Sequence, residues 1–394
     1  MKENVYIVSA KRTAVGKFGG SLQGSSAPEL AAAVIKNLIA ENPGIEKKVG
    51  EVILGNVLSA GLGQNPARIA SVKAGIPESV PAYTVNKVCG SGLKSITLAS
   101  QAIELREADL IVAGGMENMS RSPYLIDDHR FGVKLGDQTI KDSMITDGLF
   151  CSLIGEHMGV TAENVAKKYK VSREDQDRFA FRSHEKALAA MMENRLSDEI
   201  VPVLVKQKKE MAEFKIDEQP RADTTFEALA KLKPIFDKDG TVTAGNSSSL
   251  NDRAAVIFVA SEKFVQNEKI KPMARIMSYA SVGLDPKIMG MGVYYAVVAC
   301  LKKANFKIED IDLWELNEAF ASQSVAALKL LGIDEKIVNV NGGAIALGHP
   351  IGASGARILV SLIHELKRRK LKYGVASLCI GGGQGIAMLI ENYE

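Results

Sequence analysis

The second half of this chain repeats the pattern of the first half. Residues 51–56 form an apolar stretch that ends in asparagine, and a glycine-rich turn at Cys89 follows 33 positions after that asparagine. Residues 312–317 end in asparagine in the same way, and a glycine-rich turn at His349 follows 32 positions later. Each turn leads into a helical pattern and a further apolar stretch. One α/β unit used twice predicts an α/β fold whose sheets are covered by helices on both faces.

Many of the 35 glycines of the chain lie at matched places of this repeat. The pair Ser91-Gly92 corresponds to Ser354-Gly355, and Gly114-Gly115 corresponds to the glycine run at 381–383. In open α/β sheets, ligands bind beside the carboxyl ends of the strands, where these turns lie. We therefore predict that the turns of both halves surround one ligand site.

The segment 121–242 has no counterpart in the second half. It is more polar and contains amphipathic patterns at 161–169 and 173–194, the second preceded by Ser172 as a helix N-cap. We interpret it as an insertion that covers one face of the core and helps to build the pocket. The predicted domains are residues 1–120 completed by 243–270, the insertion 121–242, and residues 271–394.

Composition excludes several classes of protein. The net charge of +3 is too small for a dedicated nucleic-acid-binding protein, and four cysteines are too few for a disulfide framework. No apolar stretch reaches the roughly 20 residues that span a bilayer, and no metal-ligand spacing or nucleotide-binding loop is present. The apolar stretch near the amino terminus is too short for a secretory signal. We expect a cytoplasmic protein with reduced thiols and without nucleic-acid, membrane or metal partners.

Cys89 is the first candidate for chemistry. A glycine turn at 90–92 leads into a helix predicted over 93–105, so the sulfur lies at a helix N-terminus. The free N–H groups and the helix dipole there predict a lowered pKa for this thiol. The alternative is a buried, inert cysteine. The segment 90–95 also approaches the dinucleotide-binding pattern, but it ends in serine and lacks an acidic ribose partner.

His349 and Cys379 lie in the other glycine-rich segments. Five glycines and a proline surround His349 in residues 341–355, which predicts a rigid loop that holds the imidazole for use. Cys379 ends an apolar stretch and enters the glycines at 381–385, whose N–H groups can face a developing negative charge. We expect His184 and His364 to lie on solvated helix faces, and Cys151 and Cys300 only to fill the core.

These segments resemble the thiolase family, in particular its biosynthetic acetyl-CoA acetyltransferases. The resemblance covers essentially the whole chain and is carried by five separated motifs, at residues 157–164, 242–248, 317–320, 339–357 and 378–385. It implies two βαβαβαββ halves in a layered α/β/α/β/α core, with the insertion as the loop domain. It also implies a homodimer, or a dimer of dimers, that binds acetyl-CoA, acetoacetyl-CoA and CoA and holds no tightly bound cofactor.

The resemblance further implies a role for each catalytic position. Cys89 is the nucleophile that carries the acyl group, and His349 activates it. A water held by Asn317 helps His349 to stabilise the enolate. Cys379 moves the α-proton, and the N–H groups of Cys89 and Gly381 bind the tetrahedral oxyanion. The positions that match the coenzyme A tunnel and acyl pocket are Leu149, His157, Arg221, Phe236, Ala244, Ser247, Met289 and Phe320.

Three other activities stay open at this stage. A degradative 3-ketoacyl-CoA thiolase has the same catalytic set and accepts longer chains. A decarboxylating ketoacyl synthase pairs its cysteine with two histidines, and Cys379 stands where the second histidine is expected. A non-catalytic acyl-CoA-binding protein does not need the set of Cys89, His349 and Cys379.

Two further expectations concern single segments. Residues 292–296 depart from the proline-containing segment of relatives. Two tuned thiols in one site predict inactivation by mild oxidants through a Cys89–Cys379 disulfide.

Overall fold

The long strands of the two halves join in one continuous sheet. The computed structural model describes residues 3–207 and 210–393. In chain order the core strands are β1 Val5–Thr13, β2 Glu51–Gly55, β3 Ala82–Val85, β4 Leu110–Asn118, β5 Asn251–Ser261, β6 Ala274–Gly283, β7 Leu313–Leu316, β8 Tyr373–Ile380 and β9 Gln384–Asn392. Their spatial order is β7-β8-β9-β6-β1-β5-β4-β2-β3.

The two halves meet where β1 pairs antiparallel with β6, with Tyr6 opposite Arg275. In each half the strands nearest the outer edge of the sheet are parallel, β2 with β3 and β4, and β7 with β8. The remaining pairs, such as β5 with β4 and β9 with β8, are antiparallel. The third strand of the second half is reduced to a single bridge between Trp314 and Val338. The predicted duplicated α/β unit is confirmed with this one difference.

The helices give the sheet its layers. They are α1 Ala27–Glu41, α2 Pro66–Ala74, α3 Ser91–Glu104, α4 Met158–Tyr169, α5 Arg173–Met192, α6 Gly292–Ala304, α7 Ala321–Leu331 and α8 Ser354–Arg369. Helices α3 and α8 contact each other and lie between the two halves of the sheet. Helices α1 and α2 cover the outer face of the first half, and α6 and α7 cover that of the second. The predicted five-layer α/β/α/β/α core is confirmed.

Side-chain alternation along β8 shows how both faces are buried. Ala376 and Leu378 join the apolar cluster around α3 and α8, whereas Val375 and Cys379 join the cluster around α6 and α7. Successive side chains of a strand point to opposite faces, so an almost wholly apolar strand suits a sheet covered on both sides. The same alternation directs the sulfur of Cys379 away from the central helix layer.

The insertion is built from helices and short strand pairs. The predicted helix at 173–194 corresponds to α5, whose N-cap Ser172 accepts the N–H of Asp175 as predicted. The other predicted helix begins three residues earlier, at Met158, because the imidazole of His157 caps it. The remaining elements are strands Tyr124–Ile126, Ile140–Asp142, Phe150–Cys151, Glu156–His157, Ile200–Val201, Val203–Gln207 and Glu210–Phe214, and the short helix Phe226–Ala230.

A buried ionic cluster fastens the insertion to the core. Arg12 of β1 donates to Glu199 at 2.6 Å and to both carboxylate oxygens of Asp217 at 2.8 and 2.9 Å. Arg253 of β5 donates to the same aspartate at 3.2 Å. Although burial opposes ionisation, Arg12 and Arg253 hold the pKa of Asp217 at about 2. Removing one partner of such a buried cluster leaves an uncompensated charge, which typically costs about 3–5 kcal/mol. The domain division at residues 120, 242 and 270 stays a prediction.

Candidate active site

One cavity of about 460 Å³ lies where the ends of the core strands meet the insertion. Cys89, His349 and Cys379 all line it. The residues predicted to bind coenzyme A line it as well: Leu149, His157, Arg221, Phe236, Ala244, Ser247, Met289 and Phe320. The other two predicted residues, Asn317 and Gly381, contact His349 and Cys89 respectively. Residues that are more than 200 positions apart in the chain therefore share one pocket.

Cys89 lies in the turn between β3 and α3. Its thiol is hydrogen-bonded by its own backbone N–H and by the N–H of Gly381, and both of these bonds favour the thiolate. Burial nevertheless has the larger effect and raises the pKa of Cys89 to about 11. The prediction of a lowered pKa is therefore wrong for the free protein, because removal from water outweighs the N–H groups at the helix start. The thiol is protonated at neutral pH and needs a base.

The loop after the short helix Ala344–Leu347 holds His349. Gly348 has a φ of +84°, and a Cβ there would lie 2.1 Å from Oδ1 of Asn251, so this turn requires glycine. The hydroxyl of Ser354 donates to the carbonyl of Pro350 at 2.9 Å and lies 2.7 Å from Nδ1 of His349. A hydroxyl has one proton, so we assign the imidazole proton to Nδ1, with Ser354 as its acceptor.

This tautomer leaves Nε2 of His349 unprotonated. Nε2 is buried and has no hydrogen-bond partner among residues 3–207 and 210–393. Burial, with a further contribution from the charge of Arg357, lowers the pKa of His349 to about 3. The imidazole is therefore neutral in the resting protein. A neutral ring with a free nitrogen in a cavity that also holds a thiol is suited to accept the thiol proton.

Asn317 follows β7 directly and contacts the back of the imidazole. Its Nδ2 lies 3.4 Å from Nδ1 of His349, which is longer than an ordinary hydrogen bond. Its backbone N–H donates to the carbonyl of Ser377 at 2.9 Å. The side-chain Oδ1 is buried and has no partner in the part of the chain that the structure describes. A free buried acceptor is able to hold a water molecule or a polar group of a ligand.

Cys379 is the second thiol of the cavity and is buried at the end of β8. Burial and the nearby Cys89 both raise its pKa, so it too is protonated at neutral pH. Its sulfur lies 4.0 Å from Oε1 of Gln323, whose Nε2 donates to the carbonyl of Asn317 at 3.2 Å. Gln323 was not predicted from the sequence. Its position six residues after Asn317, on the first turn of α7, was the available signal.

Aromatic side chains form the wall on the insertion side. His157 stacks on Phe236 with ring centroids 4.9 Å apart, and Phe236 meets Phe320 edge to face at 6.5 Å. Nδ1 of His157 accepts the N–H of Gly159, and burial lowers the pKa of this histidine. Its ring is therefore neutral and serves the wall as an apolar surface. Met289 belongs to the apolar cluster behind this wall.

Two histidines outside the catalytic set differ from prediction. His184 is 6% exposed and therefore buried, not solvated. Its Nδ1 accepts the backbone N–H of Arg221 at 3.3 Å, and burial together with the charge of Arg221 lowers its pKa to about 4. His364 is half-buried and lies 2.9 Å from the carbonyl of Ala10, beside a polar cavity of about 580 Å³ that holds none of the cysteines. Cys151 and Cys300 are buried, as predicted.

The segment 292–296, which is expected to differ from the proline-containing segment of relatives, forms the first turn of α6. A Cβ at Gly292 would lie 2.1 Å from the carbonyl oxygen of Gln384, so this turn presses on the backbone that follows the glycines after Cys379. Tyr294 and Tyr295 meet edge to face at 5.1 Å on the outer side of this turn.

Within residues 3–207 and 210–393, no helix is long and apolar enough to cross a bilayer. No cluster of histidine, cysteine or acidic side chains there is arranged to hold a metal ion.

Comparison with known proteins accounts for nearly the whole chain. The thiolase N-terminal domain matches residues 5–263, and the thiolase C-terminal domain matches residues 270–392. An acetyl-CoA acetyltransferase of Pseudomonas aeruginosa is 56% identical over 390 residues, which cover 98% of this chain and 99% of that protein. One of Escherichia coli is 55% identical, with 99% of each chain covered.

Solved structures agree with this match. The acetyl-CoA acetyltransferase of Bacillus anthracis superimposes with a TM-score of 0.97 at 45% identity, covering 99% of each chain. Human mitochondrial 3-ketoacyl-CoA thiolase in complex with CoA gives a TM-score of 0.96 at 44% identity, covering 100% of this chain and 98% of that one. The chain described here belongs to the thiolase family.

Proposed function

We propose that the protein is an acetyl-CoA C-acetyltransferase. It catalyses the reversible condensation of two acetyl-CoA molecules to acetoacetyl-CoA and CoA through an acetyl group carried on Cys89. The observation that supports this most directly is the content of the cavity. It combines a thiol within reach of two backbone N–H groups, a neutral imidazole with a free Nε2 and a second thiol. Most of the related proteins named above are acetyl-CoA acetyltransferases.

The first half-reaction in the thiolysis direction starts from neutral groups. The sulfur of Cys89 attacks the keto carbonyl of acetoacetyl-CoA, and its proton passes to Nε2 of His349. The carbon–carbon bond then breaks, and acetyl-CoA leaves as its enolate. The raised pKa of Cys379 means that this thiol holds a proton, which it gives to the enolate carbon. Cys89 remains acetylated, His349 is protonated and Cys379 is a thiolate.

The second half-reaction returns each proton. The thiol of CoA gives its proton to the Cys379 thiolate, and its sulfur attacks the acetyl group on Cys89. The Cys89 thiolate leaves and recovers its proton from His349, so the resting state is regenerated. Condensation follows the same steps in reverse. Two half-reactions that share one covalent carrier give ping-pong kinetics.

Two oxygen atoms develop negative charge during these steps. The N–H groups of Cys89 and Gly381 bind the oxyanion of the tetrahedral intermediate. Protonated His349 binds the enolate oxygen together with a water held by Oδ1 of Asn317. One preorganised donor contributes about 2.7–4 kcal/mol in other acyl-transfer enzymes. Two donors therefore correspond to a rate factor on the order of 10⁴–10⁶, if their effects add.

The wall of the cavity sets the substrate. Arg221, Ser247 and the rings of His157 and Phe236 bind coenzyme A, with Leu149, Ala244 and Phe320 completing the tunnel. Met158 and Met289 are buried, 7% and 3% exposed, and both line the cavity. We propose that they surround the acyl group, which favours short chains. The alternative is a 3-ketoacyl-CoA thiolase of broader chain length, the activity named for the human relative.

Turnover of acetoacetyl-CoA, compared with turnover of a medium-chain 3-ketoacyl-CoA, tests this choice. We expect kcat/KM at least ten-fold higher for acetoacetyl-CoA. Similar values for the two substrates would reject the short-chain proposal. Incubation with acetyl-CoA followed by mass spectrometry of the peptide that contains Cys89 tests the acyl-enzyme separately. Absence of the acetylated peptide would leave only a binding function.

We also propose a cytoplasmic homo-oligomer. The arm at residues 124–142 carries large apolar side chains in water, with Phe131 90% and Leu135 97% exposed. At the edge of the sheet, β3 pairs with β2 and with no other strand of the described residues. Both features suit contact with further copies of the chain. Light scattering is expected to give a tetramer, and a double Phe131→Ser, Leu135→Ser variant is expected to give a dimer. An unchanged mass would exclude the arm from the interface.

A further inference from the structure

Glu117 is a buried carboxylate for which the proposed mechanism has no use. It lies near the end of β4, and its side chain is 0% exposed. Its oxygens accept hydrogen bonds from Nδ2 of Asn56 at 2.7 Å, from the N–H groups of Val57 and Leu58 at 3.1 and 3.2 Å, and from the N–H of Gly352 at 2.9 Å. All four donors are neutral. No lysine or arginine of the described residues donates to it, so this carboxyl group has no ion-pair partner among them.

The four donors come from both halves of the fold. Asn56, Val57 and Leu58 form the turn after β2, which belongs to the first half. Gly352 belongs to the loop of the second half that contains His349. A Cβ at Gly352 would lie 2.7 Å from Oε2 of Glu117 and 2.9 Å from Cα of Asn56. The loop is therefore pressed directly onto the carboxylate, and only glycine allows this approach.

Two residues after Gly352, the chain reaches the side chain that orients the imidazole. Ser354 lies 2.7 Å from Nδ1 of His349 and begins α8. A shift of the Gly352 backbone therefore moves the residue that holds the imidazole proton. The other titratable groups that act on Glu117 are Asp252 of β5 and the Cys89 thiol. Both lie in the first half, so Gly352 is the contact of Glu117 with the catalytic loop of the second half.

We propose that Glu117 is a positioning residue, which holds the His349 loop of the second half against the Cys89 side of the first half. The inference rests on the roles proposed above for Cys89 and His349. A buried carboxylate without a cationic partner is costly for stability, and an apolar residue would fill the same space without that cost. Its contact with Gly352 explains why a carboxyl group is present, because this contact fixes the loop that holds His349. Catalytic groups lose much of their effect when they are misplaced by about 1 Å.

Replacement by glutamine tests the proposal with little change in volume. In Glu117→Gln, one acceptor oxygen becomes an N–H₂ donor that faces other donors, so the contact with Gly352 is lost or weakened. We expect kcat for acetoacetyl-CoA thiolysis to fall by about 10–100-fold, because orientation of the base is impaired. KM is expected to stay within about two-fold, because no hydrogen bond in the described part of the chain joins Glu117 to Arg221 or to another residue of the tunnel wall. A proportional rise in KM, or an unchanged kcat in a folded variant, would overturn the proposal.

Asp312→Asn is the matched control. Asp312 accepts the backbone N–H groups of Lys372 and Tyr373 at 2.9 and 2.8 Å, far from the cavity. We expect its kcat to stay within about two-fold of the wild type. If Glu117→Gln does not fold, Glu117→Asp provides the second variant. It keeps the charge but withdraws it by one methylene, and a kcat equal to that of the wild type in that variant would equally overturn the proposal.

A double-mutant cycle with Ser354→Ala separates positioning from general destabilisation. Both side chains act on the same loop, so the kcat of the double variant is expected to fall no further than that of the more impaired single variant. Losses that multiply would show independent effects and contradict the inference. Acetylation of Cys89 in the wild type is checked in the same preparation. If the wild type is not acetylated, the proposed function fails, whereas normal acetylation with an unaltered Glu117→Gln variant rejects only the role of Glu117.

Discussion

Asn56 and Asn317 occupy the same position in the two halves, directly after β2 and β7, but their side chains contact different groups. Asn56 donates to Glu117 at 2.7 Å and to the carbonyl of Met116 at 3.2 Å, and so ties two strand ends together. Nδ2 of Asn317 faces the imidazole of His349 instead. The duplicated fold thus contains the same strand end in each half, and the asparagine of the second half faces the reacting groups.

The serines at the matched helix starts differ less. Ser91 accepts the N–H of Lys87 at 2.8 Å and lies 2.6 Å from the carbonyl of Val88, so it shapes the turn that holds Cys89. Ser354 makes the same kind of contact with Pro350 and adds a contact with His349. In both halves the serine braces the turn before a helix. The second serine therefore combines the same structural contact with an additional contact to His349.

The largest expected effect concerns the two thiols, one from each half. Cys89→Ser is expected to lose both half-reactions, with a fall in kcat on the order of 10⁶, the loss seen when the nucleophile of another acyl-transfer enzyme is removed. Cys379→Ser is expected to retain transfer of the acetyl group from acetyl-CoA to Cys89, at a reduced rate, because CoA can leave as a thiolate without the proton that Cys379 supplies. It is expected to lose condensation and exchange of the α-proton. Mass spectrometry and deuterium exchange into acetyl-CoA measure these steps separately.

Cys300→Ala is the control for this pair, because Cys300 is buried away from the cavity. It is expected to keep both half-reactions. Equal loss of both in Cys379→Ser would show that the two halves do not divide the chemistry as proposed.

The paired asparagines give the next effect. Asn317→Ala is expected to lower kcat by about 10²-fold, with a small change in stability, because the water that Asn317 holds at the enolate oxygen is lost. Removal of one oxyanion donor causes a loss of this size in other enzymes. Asn56→Ala removes a buried hydrogen bond to a carboxylate, so we expect a loss of about 1.5–3 kcal/mol in the free energy of unfolding. Its kcat is expected to fall less than that of Asn317→Ala. Steady-state kinetics and denaturant unfolding of both variants decide this, and the reverse ranking would contradict the contrast between the halves.

Much of this arrangement could be predicted from the sequence, because the repeat carries it. The strand ends, the glycine turns and the three reactive residues follow from matched spacing and from the resemblance. The protonation states could not be predicted in this way. The helix start at Cys89 indicates a lowered pKa, but the thiol is enclosed by residues from distant segments, and enclosure reverses the sign. Gln323 and Glu117 were missed for the same reason, since their contacts are made only after folding.

The insertion breaks the symmetry of the halves, and its His184 contacts the segment that carries Arg221, which we propose to bind coenzyme A. The imidazole of His184 accepts the N–H of Arg221, so its loss is expected to loosen the segment that carries this guanidinium. His184→Ala is expected to raise KM for CoA thioesters by about five- to ten-fold, with kcat within about two-fold. His364→Ala is the matched control, because this histidine also contacts the backbone, at the carbonyl of Ala10, but does not line the cavity. A fall in kcat without a rise in KM would show that His184 affects the catalytic step and not the binding of CoA thioesters.

The smallest expected effect contrasts two buried groups that respond to pH with opposite signs. The pKa of His184 is lowered to about 4, whereas histidine in an unfolded chain titrates near about 6.5. Its contribution to stability is therefore present above pH 6.5 and is lost as pH falls towards 4. Burial, against the effect of its N–H donors, raises the pKa of Glu117 to about 7, from about 4.3 in the unfolded chain. Its contribution is therefore largest below pH 4.3 and is lost as pH rises through 7.

Denaturant unfolding at pH 6.5 and 5.5, at one protein concentration, measures both signs. Over this unit of pH the wild type is expected to lose about 1 kcal/mol relative to His184→Gln and to gain about 1 kcal/mol relative to Glu117→Gln. The difference in the free energy of unfolding between the wild type and each variant cancels the titration of all other groups. The unfolding of the wild type alone would include their titration. If the two differences in the free energy of unfolding changed with pH in the same direction, one of the two groups would not be buried in solution. If the difference in stability between the wild type and Glu117→Gln had the wrong sign, Glu117 would not be buried in solution. The close contact of its carboxyl group with Gly352, which links the two halves, would then be rejected as well.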